Sequence, residues 1–169
     1  MARGRPLEVE AELIEAFVHS GRVSEYLISI VPQALWRTSP PSGRGRTIGA
    51  IVAHMQSVRR TFAQMGGARG LPSLDRKTVT MPQAKKALRQ STDVLARQLE
   101  TALRAGNARV KGMPRRAVDM LAYLIQHDAH HRGQICTLAR DLGHEFAAGD
   151  MTCIWGWKAL PATMMKRRA

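Results

Sequence analysis

The chain alternates between stretches in which apolar residues recur every three or four positions and short stretches rich in Pro, Gly and Ser, the layout of amphipathic helices joined by loops. From Leu7 to Val31, the residues Val9, Leu13, Phe17, Leu27 and Val31 fall at helical spacing. Glu8, Glu10, Glu12 and Glu15 gather in the first turns, where the helix dipole favours negative charge. Pro32 ends this first pattern, and the stretch from Arg37 to Arg46 reads as an exposed loop. Thr47 is placed to cap a second helix carrying Ile48, Ile51, Val52, Met55, Val58, Phe62 and Met65, stopped by Gly66 and Gly67. Thr80 and Gln83, with Pro82 in the first turn, form a capping-box pattern. It opens a third helix with Ala84, Leu88, Ser91, Leu95, Leu99 and Ala102 on one face and an end at Gly106-Asn107. Met113-Pro114 is expected to start a fourth helix, with Met120, Leu124, Leu138 and Leu142 on its core stripe and Gly143 at the left-handed cap.

Four amphipathic helices without an alternating strand pattern predict an all-α protein, a four-helix bundle forming a single domain over residues 7–169. The tail from His144 holds Trp155 and Trp157, and a short helix is expected near Leu160 to Lys166. With 169 residues the chain can bury a core without cross-links, and its two cysteines, Cys136 and Cys153, suit a reducing compartment. No apolar run reaches the roughly 18 residues of a membrane span, and Met1 is not followed by a signal-like segment, so a soluble, cytoplasmic protein without membrane insertion is expected.

Chemistry concentrates in Gln126-His127-Asp128-Ala129-His130-His131-Arg132-Gly133-Gln134. His127 and His131 stand four residues apart, one turn of a helix, on a stripe that also holds Met120, Leu124, Leu138 and Leu142. Imidazoles in places where Leu would pack need partners, either a shared metal or hydrogen bonds to neighbouring helices. His54 lies about 60° off the apolar stripe of the second helix and could supply a third ligand. His130 is displaced to the side of His127 and reads as a supporting or partly exposed residue. Gln134 returns to the ligand face and could bond a ligand imidazole or a bound water. The wheel turns Asp128 about 100° away from His127, toward a helix-surface position. Cys136 falls opposite the stripe, and His19 and His144 have no partner at ligand spacing.

The segment Thr47-Ile48-Gly49-Ala50-Ile51-Val52-Ala53-His54, followed by His127-Asp128-Ala129-His130-His131-Arg132-Gly133-Gln134, resembles the DinB-like superfamily of metal-binding four-helix bundles. The resemblance spans nearly the whole chain and implies that His54, His127 and His131 bind a divalent transition metal. An acidic residue often follows the first histidine of the family's pair, as Asp128 does here, and Trp155-Gly156-Trp157 is similar to its tryptophan-containing tail. The resemblance also implies a metal-dependent hydrolase, or a transferase that uses a low-molecular-weight thiol on a small-molecule substrate, and a homodimer. Three imidazoles leave coordination positions open for water or substrate, as in catalytic zinc sites; zinc is the favoured ion, and nickel, iron or manganese fit the same ligands.

The charge introduces a rival. A net +13, from 26 Lys and Arg against 13 Asp and Glu, draws a protein toward nucleic acid or other anions, and a basic binding module with a structural metal is the alternative function. Its candidate clusters are Arg44 with Arg46, Arg59-Arg60, Lys85-Lys86, Arg115-Arg116 and Lys166-Arg167-Arg168. They scatter over loops, helices and tail with few aromatics for base stacking, which suits nonspecific attraction better than a built interface.

Overall fold

A computed structural model of the chain describes residues 8–156 and 159–161. Among them the secondary structure is all helical: α1 (Val9–Ile30), α2 (Ile48–Met65), α3 (Met81–Arg104), α4 (Ala117–Asp141) and a short α5 (Ala148–Ile154). A single 3-10 turn, Gln33–Leu35, follows α1. The helices end where local chemistry stops them. Val31 precedes Pro32 and is pushed out to extended backbone, which closes α1 at Ile30. Thr47 Oγ1 accepts the Ala50 N–H at 3.2 Å, and Thr80 and Gln83 form the full capping box expected from the sequence. At the end of α4, Gly143 takes φ +84, so that its N–H reaches Arg140 and the His144 N–H reaches Ala139.

α1 and α2 each pack against both α3 and α4, so the four long helices form a closed bundle with α5 laid against α1. Two apolar clusters fill it. One gathers Val23, Leu27, Trp36, Val52, Met55, Leu88 and Ile135, with Ile154 of α5, and the other Phe17, Leu95, Leu99, Met120, Leu121 and Leu124. Between them every long helix contributes buried polar side chains: Ser20 and Ser24 from α1, Gln56 and Arg59 from α2, Ser91 and Thr92 from α3, Asp128 and His131 from α4. The bundle is therefore two hydrophobic plugs separated by a polar belt.

Arg59 organises the belt. Its guanidinium is fully buried and pairs with both oxygens of Asp128, donates to the Leu88 carbonyl (3.2 Å) and to Thr92 Oγ1, and lies 5.7 Å from the Phe17 ring centre. One side chain thus touches all four helices. Burial alone would raise the Asp128 carboxyl, but the charge and hydrogen bonds of Arg59, with Arg132 nearby, hold it below the usual carboxylate range. Arg132 crosses to α1 and donates to Ser20 O, Ser20 Oγ and Ser24 Oγ at 3.1 to 3.2 Å.

Several expectations need correction. Asp128 does not lie on the helix surface; it is completely buried, because a partner cation waits on α2. Arg59 likewise leaves the list of surface basic clusters. The inward stripe of α4 runs through Ala117, Leu121, Leu124, Asp128, His131, Ile135 and Leu138, which turns His127 to its edge. The fourth helix starts at Ala117 rather than near Met113, since residues 108–116 close into a loop in which Ala117 N–H bonds Ala108 O (2.8 Å) and Arg109 bonds Pro114 O (2.8 Å). Val9 is solvent-exposed, and a Cβ added at Gly133 would meet open space. The tail holds a short helix, α5, before the segment where one was expected; Leu160 is not helical, while Trp157 and residues 162–166, which make up most of that expected helix, lie outside the described residues. Trp155 is largely exposed.

Two stability outcomes follow. Asp128→Ala strands the Arg59 charge in the core and is expected to cost about 3–5 kcal/mol in urea unfolding, whereas the paired replacement Arg59→Met with Asp128→Leu recovers most of the loss; an Asp128→Ala protein with the wild-type midpoint would refute the role given to the pair. At Gly49 an added Cβ would stand 2.9 Å from Trp36 Nε1, which is itself anchored on Val79 O at 2.8 Å. Gly49→Ala should therefore lower stability by about 1–3 kcal/mol, while Gly133→Ala, in open helix, should raise it slightly. Equal thermal shifts for the two would contradict the Trp36 contact.

Candidate metal centre

The three histidines singled out in the sequence come together where α2 meets α4. His54 is half-buried between core residues of α2, and His127 and His131 occupy successive turns of α4. One ring nitrogen from each lies within 4.8 Å of the other two, so the group could hold a metal ion. The His131 ring centre is 4.8 Å from that of His54 and 4.4 Å from that of His127, and the His54 and His127 rings are 5.4 Å apart. His131 is also a member of the polar belt, so the cluster forms the belt's outer edge between α2 and α4.

The proton positions fit a ligand set. Gln134 Oε1 lies 2.7 Å from His131 Nδ1 and accepts its proton, which leaves a lone pair on His131 Nε2. That atom is 3.1 Å from His127 Nε2. Two nitrogens at zinc-ligand distance from one ion are separated by roughly 3 Å, so the spacing suits a shared cation as well as a direct hydrogen bond. His127 Nδ1 is buried without a hydrogen-bond partner, and the nearest carboxylate oxygen, Asp128 Oδ1, stands 4.0 Å away. A proton on Nδ1 would face that carboxylate and free Nε2 for a metal, the arrangement common around metal-bound imidazoles. Burial, the charge of Arg46 and the neighbouring imidazoles push His54 down to about 4, and burial also lowers His131. Both are thus neutral near pH 7, the form that ligates.

Around the cluster, Tyr123 stacks 5.8 Å from the His127 ring and meets Phe62 edge-on at 5.6 Å, giving an aromatic wall on one side. Arg115 lies over the outer part of that wall, 5.2 Å from the Tyr123 ring centre. On the other side, Gln134 Nε2 reaches His130 Nε2 at 3.0 Å. A chain His130, Gln134, His131 therefore leads from the exposed helix face to the cluster. His144 packs against Phe146, and Cys136 packs against the apolar core, its thiol raised by burial. Sequence reasoning placed Arg46 only with Arg44 in a basic cluster of the rival function, not beside the histidines, yet its charge acts on both His54 and His131. Its place at the end of the Pro- and Gly-rich loop, directly before the Thr47 cap, was the available signal.

A family model described as the DinB family matches residues 6–158. No curated protein and no solved structure matches the chain.

Gln134→Ala removes the acceptor that fixes the His131 tautomer. In zinc titrations followed by calorimetry, affinity should fall about 10- to 100-fold, with Gln134→Glu retaining most of it. Unchanged affinity in Gln134→Ala would remove Gln134 from the support of the site.

Proposed function

The chain belongs to the DinB family, and from that premise we propose that His54, His127 and His131 bind a divalent transition metal, zinc first among the candidates, in an enzyme that transfers a small thiol or hydrolyses a small substrate. The observation that carries the reading is the convergence of three imidazoles from two helices on one point, with no protein carboxylate or thiol among them. Such a donor set leaves coordination positions open. A bound divalent ion supplies Lewis acidity, enough to favour the deprotonated form of a water or thiol near neutral pH.

The remaining work falls to the chain itself. Gln134 holds the His131 ring in one orientation, and the buried Arg59–Asp128 pair keeps α4 at a fixed height against α2. Tyr123 and Phe62 shield one side from water, which strengthens electrostatic interactions at the site. On this reading His130 acts through Gln134 and not as a ligand. The basic-module alternative draws no support from the belt, where Arg59 is fully buried and Arg132 is committed to α1.

The test begins with elemental analysis of untagged protein beside His127→Ala and His131→Ala. About one equivalent of metal in the wild type and its loss in both variants is expected. The loaded protein is then assayed with a thiol and an aryl halide for transfer, and with activated esters and amides for hydrolysis. Metal-dependent turnover of one class, absent in both variants, identifies the reaction. A wild type that holds no metal even after reconstitution overturns the proposal.

A further inference from the structure

A groove of about 450 Å³ opens beside the three histidines, floored by Ile51 and Leu138 and bordered by His130, Gln134, Arg46 and Asp141. Its volume falls within the range of small-molecule sites. Gln134 belongs to both places, lining the groove while its Oε1 holds His131 Nδ1 at 2.7 Å. A molecule in the groove therefore lies next to the metal centre.

The groove is polarised. Arg46 sits immediately before the N-terminus of α2, and Asp141 is the last residue of α4. The backbone dipoles reinforce both charges, positive at the helix start and negative at the helix end. The two side chains line one groove yet form no ion pair with each other, nor any other ion pair or hydrogen bond among the described residues. A pure polyanion such as nucleic acid would meet repulsion at Asp141, and a simple cation would meet it at Arg46.

We propose that this groove binds a small zwitterion of the amino-acid type, its carboxylate on Arg46 and its ammonium on Asp141, with the rest of the molecule directed to the three-histidine site. That such a molecule is the substrate rests on the metal-enzyme reading above; the charge recognition does not.

The experiment uses three probes of matched length: L-methionine, which carries both charges, 3-(methylthio)propylamine, which lacks the carboxylate, and 4-(methylthio)butanoate, which lacks the amine. Binding is read from the amide NMR shifts of Gly133 and Thr137, with and without zinc, and zinc occupancy is measured separately by native mass spectrometry. L-methionine should bind about fivefold more tightly than either single-charge probe, the gain expected of exposed charge contacts. Arg46→Ala should erase its advantage over the amine, and Asp141→Ala its advantage over the carboxylate. Equal binding of the three probes, or an advantage that survives both substitutions, overturns the inference. Failure of zinc to load, with the methionine preference intact, sinks the metal-enzyme reading and leaves the zwitterion groove standing.

Discussion

A guanidinium in the middle of a helical bundle is the constraint from which the rest of this structure follows. Arg59 is fully buried, and an ion in that position is tolerated only if a counter-charge and further hydrogen bonds replace the water it has lost. Asp128 supplies the charge, Leu88 O and Thr92 Oγ1 take further protons, and the Phe17 ring covers the guanidinium. These groups come from α4, α3 and α1, so a displacement of any one helix leaves the cation short of partners. The close approach of α1 to α3 serves the same end, since a Cβ on Gly21 would stand 2.8 Å from Thr92 Oγ1. Apolar packing alone would tolerate sliding and repacking; the belt does not.

That constraint builds the site. His127 and His131 flank Asp128 on α4, and His54 lies five residues before Arg59 on α2. The apolar cluster that takes the first half of α2 also takes the second half of α4, so the two helices run antiparallel and His54 and His131 fall on the same side of the ion pair. At about 1.5 Å per residue, a slip of one turn, about 5.4 Å, would carry His54 out of reach of both α4 histidines. The ion pair acts as a register pin, and the histidines are placed by it without touching Arg59.

Much of this was readable from the residues. The caps at Thr47, Thr80 and Gly143 and the apolar faces of α2 and α3 are local features, fixed within a few residues, and sequence reasoning recovered them. His127 and His131 were legible as a pair because four-residue spacing on a helix has one geometric meaning. Asp128 was misplaced for an instructive reason. An acidic residue is assigned to the surface unless its partner is known, and the partner stands 69 residues earlier in the chain. The repeat Leu121, Leu124, Asp128, His131, Ile135 does place Asp128 inward, but the wheel was centred on His127, which turned Asp128 toward the surface. The start of α4 was placed too early because it depends on the closure of the loop over residues 108–116 rather than on periodicity.

The charge of +13 takes on a different meaning once the belt is known. Arg59 pairs directly with the buried Asp128 carboxylate, whereas Arg132 acts on it only by its charge and is bonded to neutral oxygens of α1. Three imidazole ligands add no negative charge, so a divalent ion bound there would keep its full charge, and Arg46 outside adds another positive charge. Neutrality must come from an anion brought by solvent or substrate, such as hydroxide, thiolate or carboxylate. A structural metal is ordinarily neutralised by protein thiolates or carboxylates, which close the site. The three-histidine group contains neither, and that deficit is the physical argument for the proposed reading, in which the centre works on exogenous ligands rather than only holding the fold together.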